Sequence, residues 1–411
     1  MTVIDYIRRV ARYGAKGVAL WLRIKISDHR HRRFFLKNAK CSTAKPQRGV
    51  TLVGPFAGSG SLSKVMRDLL FSVHDTGIPF QAYSTSGNDD LAKSGFASMI
   101  TPLQDFKINK YSLIIDLFDG VVPDAIACRH ANIVFWEFED GFLPVYPTFT
   151  KKTEVIGMSD FVVKTMQHEL PPSVKVSKLL YPFRPSFGTL PSRKEMRRRF
   201  GIPEEAFVVF FNFDFSSGFN RKNPDGAMRA FAEAFRDDQQ AVLVFKTNNS
   251  SRFPDRVESL SRLAAELGIA DRFIMIHSYI SNLDIYGLTS ACDVYLSLHR
   301  GEGFGLGVAE AMALGLSVVV SDYSSTTEFC NANNSILVPC RIVKPEKGQI
   351  DHLTYTYITK WAEPDVSRAA DALRRLRNDV ALRVQMQDRA KRDIAEHFSI
   401  SNFKASLEAL L

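Results

Sequence analysis

Cysteine is scarce in this 411-residue chain: the five present (Cys41, Cys128, Cys292, Cys330, Cys340) are odd in number and form no C-x-x-C pair. Neither a disulfide framework nor a cysteine zinc site is suggested by that pattern, and a reducing compartment is the simpler inference. Long apolar runs are missing too. None approaches the roughly 20 residues that span a bilayer, and the richest stretch, residues 17–26, is interrupted by Arg23 and Lys25. The first residues lack an apolar h-region followed by a small-residue cleavage site, so no secretory signal is read there and a cytoplasmic protein is expected. Disorder is excluded by a composition that is 45% hydrophobic and 24% charged.

The body of the chain also lacks a charge excess of either sign. The formal charge is +9, from 53 Lys plus Arg against 44 Asp plus Glu, and residues 1–40 hold eleven basic and two acidic residues (11 − 2 = +9). Residues 41–411 therefore carry 42 of each sign. A protein gripping nucleic acid over its main surface would show basic excess there, so no nucleic-acid partner is expected. Within the leader, Ile4, Ile7, Ala11, Val18, Trp21 and Leu22 recur at three- and four-residue steps, with Arg8, Arg9, Arg12, Lys16 and Arg23 largely on the other face. This predicts a basic amphipathic helix, which either lies on an anionic membrane surface or packs on its own domain with a solvated basic face.

At about 100 to 200 residues per domain, the length predicts two sizeable domains. Residues 49–54 read as a buried strand, followed by the small-residue loop 57–61 and a helical pattern through Leu62, Val65, Met66, Leu69 and Leu70. Further strands are expected at 111–117, 132–136 and near 160–163. Proline then accumulates at 171, 172, 182, 185 and 191, which fits a linker at about 180–195. Beyond it the pattern restarts, with strands at 207–211, 241–245, 273–276, 293–298 and 317–320, and helix from Pro364 onward. The alternation predicts an α/β chain of two parallel-sheet domains, 41–190 and 191–390, with a cleft between them and a C-terminal helix at 391–411 packing back toward the first. Ligands are expected at the carboxyl ends of the strands.

The most informative stretch is Ser297-Leu298-His299-Arg300-Gly301-Glu302-Gly303-Phe304-Gly305-Leu306-Gly307-Val308-Ala309-Glu310. A strand precedes its glycine-rich turn and a helix follows, so amides around Phe304, Gly305, Leu306 and Gly307 can face an anion at a helix N-terminus. Glu302 lies in the turn and Glu310 inside the helix, where the two can reach opposite ends of an extended ligand. Carboxylates accept paired hydrogen bonds from vicinal hydroxyls, which suits a ribose and a hexose joined by a diphosphate.

This run, together with Asp293 before its strand and Trp361-Ala362-Glu363-Pro364-Asp365, resembles the Glu-x7-Glu signature of retaining glycosyltransferases of family 4 (glycosyl transferases group 1). The resemblance is strongest over about residues 205–340. It implies a GT-B fold of two facing Rossmann-like domains, the first for acceptor and the second for a GDP- or UDP-linked sugar donor, and no further cofactor. It implies that Glu302 contacts hydroxyls of the donor sugar and Glu310 those of the ribose. Lys222, in Arg221-Lys222-Asn223-Pro224, corresponds to the lysine that clamps the donor diphosphate. The usual Gly-Arg at the strand end is absent, and Arg221 stands as its substitute. Lys246, Arg300 and His299 are further donor-side candidates.

No Asp-x-Asp occurs in the chain, so the expected leaving-group clamp is metal-independent. In the first domain, Gly58, Ser59 and Gly60 form a candidate acceptor loop, and Trp136-Glu137 resembles a Trp-Glu element of some relatives. Glu137 there bonds sugar hydroxyls, while Trp136 serves either as a stacking face or as core. Residues 323–328 are hydroxyl-rich and expected near the phosphates. The implied activity is retaining transfer of a hexose, with mannose a candidate, to a cell-surface glycan or lipid-linked acceptor. The alternatives are a nucleotide-sugar epimerase of the same architecture and a non-catalytic GT-B-like binding protein.

Overall fold

The computed structural model describes residues 45–57, 61–85, 95–101, 107, 110–117, 128–142, 153–185, 187–346, 348–352, 355 and 357–411. The basic leader and the Gly58-Ser59-Gly60 loop lie outside the described residues. The chain groups into two compact units. The first takes residues up to Trp136, Asp140–Arg184 and Phe398–Leu411; the second takes Glu137–Glu139 and Pro185–His397.

The first unit is built on β1 (Gln47–Gly54), β2 (Phe80–Ser84), β3 (Tyr111–Leu117), β4 (Arg129–Val134), β5 (Thr153–Gly157) and β6 (Val176–Lys178). They pair in parallel in the order β2-β1-β3-β4-β5-β6. Leu52 stands opposite Ile115, and Ile115 opposite Ala131, all fully buried. A sheet apolar through its centre requires helices on its faces, supplied by α1 (Ser61–Thr76) and α2 (Asp160–Glu169).

Residues 160–163, expected as strand, are the first turn of α2. The Ser159 side chain accepts the Val162 N–H at 3.3 Å and caps the helix. Val162, Thr165 and Met166 are buried at i, i+3, i+4 spacing, so three apolar residues in a row belonged to a helix whose cap outweighed their β preference. The short strands β2 and β6 were not anticipated.

The second unit has six parallel strands, β7 (Phe207–Asp214), β8 (Ala241–Asn248), β9 (Phe273–Ile276), β10 (Val294–Ser297), β11 (Ser317–Ser321) and β12 (Ile336–Val338), in the order β12-β11-β10-β7-β8-β9. The helices that serve the site are α3 (Arg193–Arg199), α4 (Phe219–Lys222), α5 (Pro224–Ala234), α6 (Pro254–Glu266), α7 (Asn282–Ser290) and α8 (Leu306–Leu314). A hairpin of β13 (Cys340–Val343) and β14 (Trp361–Pro364) follows, then α9 (Val366–Asn378) and α10 (Val380–His397). Asp293 ties the starts of two central strands: it accepts the Val208 N–H at 2.8 Å and pairs with the buried Arg197 at 3.0 Å. Because β8 lies on one side of β7 and β10 on the other, the strand order reverses between β7 and β10. The carboxyl ends of those two strands are where such a sheet opens a binding crevice.

The last helix, α11 (Ile400–Glu408), returns to the first unit and packs on α1. Its Ser406 Oγ accepts the Leu180 N–H at 2.9 Å, and the Phe183 and Phe398 rings meet edge to face at 5.5 Å. Among the described residues no helix is long and apolar enough to cross a membrane.

Candidate active site

The loop after β7 is shaped by short-range polar contacts. Asp214 accepts the Ser216 amide at 2.8 Å and its hydroxyl at 2.6 Å, turning the chain. Gly218, at φ +85°, then opens α4; a Cβ there would stand 2.8 Å from the Tyr355 ring. Asn223 takes the left-handed conformation between α4 and α5, where its Oδ1 accepts the Gly226 N–H at 3.1 Å. Its amide nitrogen donates to Leu298 O at 2.8 Å, which fastens this loop to the end of β10. Arg221 and Lys222 are thereby held against the turn that carries Glu302.

Lys222 Nζ donates to Glu302 Oε2 at 2.5 Å, and Arg221 Nη1 reaches the same oxygen at 3.3 Å. Arg221 is almost wholly buried. Its Nη1 also donates to Gly301 O and its Nη2 to Ser217 O, both at 2.8 Å. Glu137 Oε1 lies 3.7 Å from Nη2. Burial opposes the charged form of Glu302, but the two adjacent cations outweigh it and hold the carboxyl at about 2. Burial also opposes the Arg221 charge, and there Tyr355, Glu137 and Glu302 prevail and raise its pKa. For Glu137 burial prevails over Arg221, and its pKa is raised.

The turn after Glu302 leads into α8. Gly305 caps it at φ +92° without a side-chain hydrogen bond, and a Cβ there would meet Thr326 Cγ2 at 2.4 Å. The first intrahelical bond runs from Ala309 N–H to Gly305 O at 3.0 Å, so the amides of residues 306–308 lie at the positive end of the helix. At Gly307 a Cβ would stand 2.4 Å from Tyr295 OH and 2.8 Å from Asn212 Oδ1, so glycine lets α8 sit directly on the ends of β7 and β10. The Phe304 ring packs on Phe329 at 5.7 Å. Glu310 accepts the Tyr286 hydroxyl at 3.2 Å. The hydroxyl-rich segment 323–328 supports the turn: Ser325 donates its amide to Glu302 O at 3.3 Å and its hydroxyl to Gly303 O at 2.8 Å.

Two cations, one ionised carboxylate and a helix N-terminus thus lie on two neighbouring loops at the sheet's switch point. Residues 192–354 match the family glycosyl transferases group 1. Curated relatives align over part of this region. D-inositol 3-phosphate glycosyltransferase 1 of Catenulispora acidiphila is 30% identical over 144 residues, 34% of this chain and 32% of that protein. The serotype-specific mannosyltransferase WbdA of Escherichia coli is 24% identical over 149 residues, 36% of this chain and 17% of that protein. The matched stretch therefore spans about a third or less of the relatives' length. Among solved structures, Anabaena Alr3699/HepE in complex with UDP-glucose superposes with a TM-score of 0.63 at 15% identity, covering 89% of this chain and 99% of that one. A glycosyltransferase from Rickettsia africae ESF-5 gives 0.61 at 12% identity, covering 89% and 98%. These likenesses carry the fold: it is of the GT-B class, with two Rossmann-like α/β units.

Other residues singled out in the group 1 segment have internal partners. His299 is fully buried, with Nδ1 3.1 Å from Ser297 Oγ and Nε2 3.2 Å from Tyr323 O, and burial lowers its pKa to about 4. Arg300 grips Glu363 with two hydrogen bonds of 2.7 and 2.8 Å, donates to Asn220 O at 2.7 Å, and covers the Trp361 ring. Lys246 is buried at the end of β8, where its amine donates to Thr247 O and Asn248 Oδ1, each at 2.8 Å. Trp136, in the first unit, is core: it is buried edge-on against Phe142 and its Nε1 donates to Asp140 O at 2.9 Å.

Tyr355, Ser217, Asn223 and Glu363 join the site beyond the residues that the sequence points to. Asn223, in the run 221–224, and Glu363, in the run 361–365, carry a signal, and Tyr355 and Ser217 carry none. Among the described residues no group of three or more His, Cys, Asp or Glu is gathered as metal ligands would be.

Proposed function

We propose that this chain is a retaining hexosyltransferase of the family 4 type, moving a hexose from a GDP- or UDP-linked donor to a glycan or lipid-linked acceptor without a metal ion. The observation that carries the reading is the convergence of Lys222 and Arg221 on Glu302 beside the N-terminus of α8. Breaking the anomeric carbon–oxygen bond places negative charge on the leaving nucleoside diphosphate, and preorganised cations and amides stabilise that charge. Lys222, Arg221 and the amides of residues 306–308 supply those donors. Glu302 then turns to a hydroxyl of the transferred sugar, and Glu310, oriented by Tyr286, to the ribose. The mannosyltransferase among the relatives supports mannose as the first sugar to try.

We place the enzyme in the cytoplasm, with residues 1–40 drawing it to an anionic membrane surface beside a lipid-linked acceptor. The test is transfer or hydrolysis from a panel of UDP- and GDP-sugars, with and without EDTA, with the anomeric configuration of product read by NMR. A chain that turns over none of them, or that loses all activity in EDTA, or whose product is inverted, contradicts the corresponding part of the reading.

A further inference from the structure

The loop between β13 and β14 does more than join two strands. Asp351 Oδ2 accepts the Asn220 N–H at 3.1 Å and pairs with Arg256 at 3.1 Å, and Gln349 O accepts the Asn220 side chain at 2.9 Å. These contacts fasten the loop onto α4 and deliver Tyr355, which is buried, to Arg221. The guanidinium carbon lies 5.7 Å from the Tyr355 ring centroid. From the other side, Glu137–Glu139 packs within the second unit. Glu137 O lies so close to Gly301 that a Cβ at residue 301 would stand 2.3 Å away, and Phe138 meets Tyr355 edge to face at 4.9 Å. Lys360 pairs with Glu139 at 2.6 Å. The Tyr355 hydroxyl hydrogen-bonds the Glu137 carboxyl, which lies 3.7 Å from Arg221 Nη2.

We infer that Glu137 and Tyr355 are positioning residues for Arg221, fixing its guanidinium plane so that the Arg221–Lys222 pair can engage a diphosphate. Among the described residues Arg221 receives two carbonyl contacts from nearby backbone, Gly301 O and Ser217 O, and its Nε–H is buried without a partner. Its other neighbours are Glu302, which the donor sugar recruits, and the Tyr355–Glu137 pair, which stays. A ring face and a carboxylate supplied by two separate loops restrict both tilt and rotation of a planar cation. The inference rests on the donor-site reading above, with Glu137 placed behind the cation in place of the sugar-hydroxyl role implied by resemblance.

The sign of one substitution separates positioning from mere proximity. Glu137→Gln removes a negative charge beside an anion site, so simple Coulomb attraction predicts tighter diphosphate binding. A positioning role predicts the reverse. Wild-type protein, Glu137→Gln, Tyr355→Phe and Tyr355→Leu are titrated calorimetrically with inorganic pyrophosphate, UDP and GDP, and their melting temperatures recorded. Expected is about tenfold weaker binding of pyrophosphate and of the preferred nucleotide by Glu137→Gln and Tyr355→Leu. Tyr355→Phe, which keeps the ring and loses the hydroxyl, should fall between these and wild type and keeps the test valid if Tyr355→Leu does not fold. Unchanged or tighter binding by Glu137→Gln or Tyr355→Phe overturns the inference while the donor site stands. Wild-type protein that binds none of the three ligands overturns the donor-site reading and this inference with it.

Discussion

The Lys222 amine lies 2.5 Å from a Glu302 carboxylate oxygen that Arg221 also reaches. On the proposed donor-site reading, a diphosphate arriving at Lys222 meets a cation already paired, donor binding is an exchange of anions, and Glu302 turns to the sugar once the phosphates take its place.

Glu302→Gln should separate these roles. Nucleoside diphosphate should bind at least as tightly as to wild type, because the competing carboxylate is gone, while sugar transfer falls about a hundredfold. Stability should drop by about 3 kcal/mol, since two neighbouring cations lose their shared partner. Titration with UDP or GDP, a transfer assay and chemical denaturation measure the three effects; weaker nucleotide binding would show that Glu302 is not the competitor.

Acid stability should fall in two windows. His299 has its pKa lowered by burial from 6.5 to about 4, so the unfolded chain takes up its proton first and stability declines as pH drops from about 6.5 to 4. Glu302 is held at about 2 against an ordinary 4.5. Its contribution is complete above about 4.5 and is lost as pH falls toward 2. Denaturant midpoints across pH should show the upper loss in wild type and also in Glu302→Gln, where it extends to lower pH because the Glu302 charge that raises the His299 pKa is gone, and a smaller lower loss in Glu302→Gln.

Gly307→Ala places a methyl group 2.4 Å from Tyr295 OH and 2.8 Å from Asn212 Oδ1. Helix propensity alone would make this substitution favourable, so a loss reports the close approach of α8 to the strand ends. Destabilisation of about 1–3 kcal/mol is expected, with weaker pyrophosphate binding. Adding Tyr295→Phe, which removes the nearer atom, should restore part of both; a neutral single variant would mean that α8 shifts freely.

Arg300→Lys keeps a cation but loses the two-pronged grip on Glu363. The melting temperature should fall by several degrees with UDP or GDP affinity within about twofold of wild type. The opposite pattern, an unchanged melting temperature with weakened binding, would mean that Arg300 reaches the donor.

The sequence made Glu302, Glu310 and Lys222 legible because one continuous run fixes strand, turn and helix around them. Arg221 was found as a substitute by its position beside Lys222. What surrounds Arg221 is less legible. Tyr355 comes from a hairpin loop and has no local pattern. Glu137, though marked by the Trp136-Glu137 pair, groups with the second unit in a segment of three residues, so the local sequence does not say that it stands beside Arg221. Arg300 and His299 sit in the informative run, but alternation along a strand end does not say which side chain turns inward. At residues 160–163 the β-branched composition pointed to strand, and the capping serine just before it decided for helix.

The return of α11 to the first unit bears on the order of events during synthesis. All but three residues of the second unit are contiguous, Pro185–His397, whereas the first unit also includes Phe398–Leu411. A growing chain can close the second sheet while the first still lacks the helix that covers α1. The unit begun first is completed last, and a chain ending at residue 397 would carry the whole contiguous part of the second unit and a first unit whose α1 lacks the packing of α11.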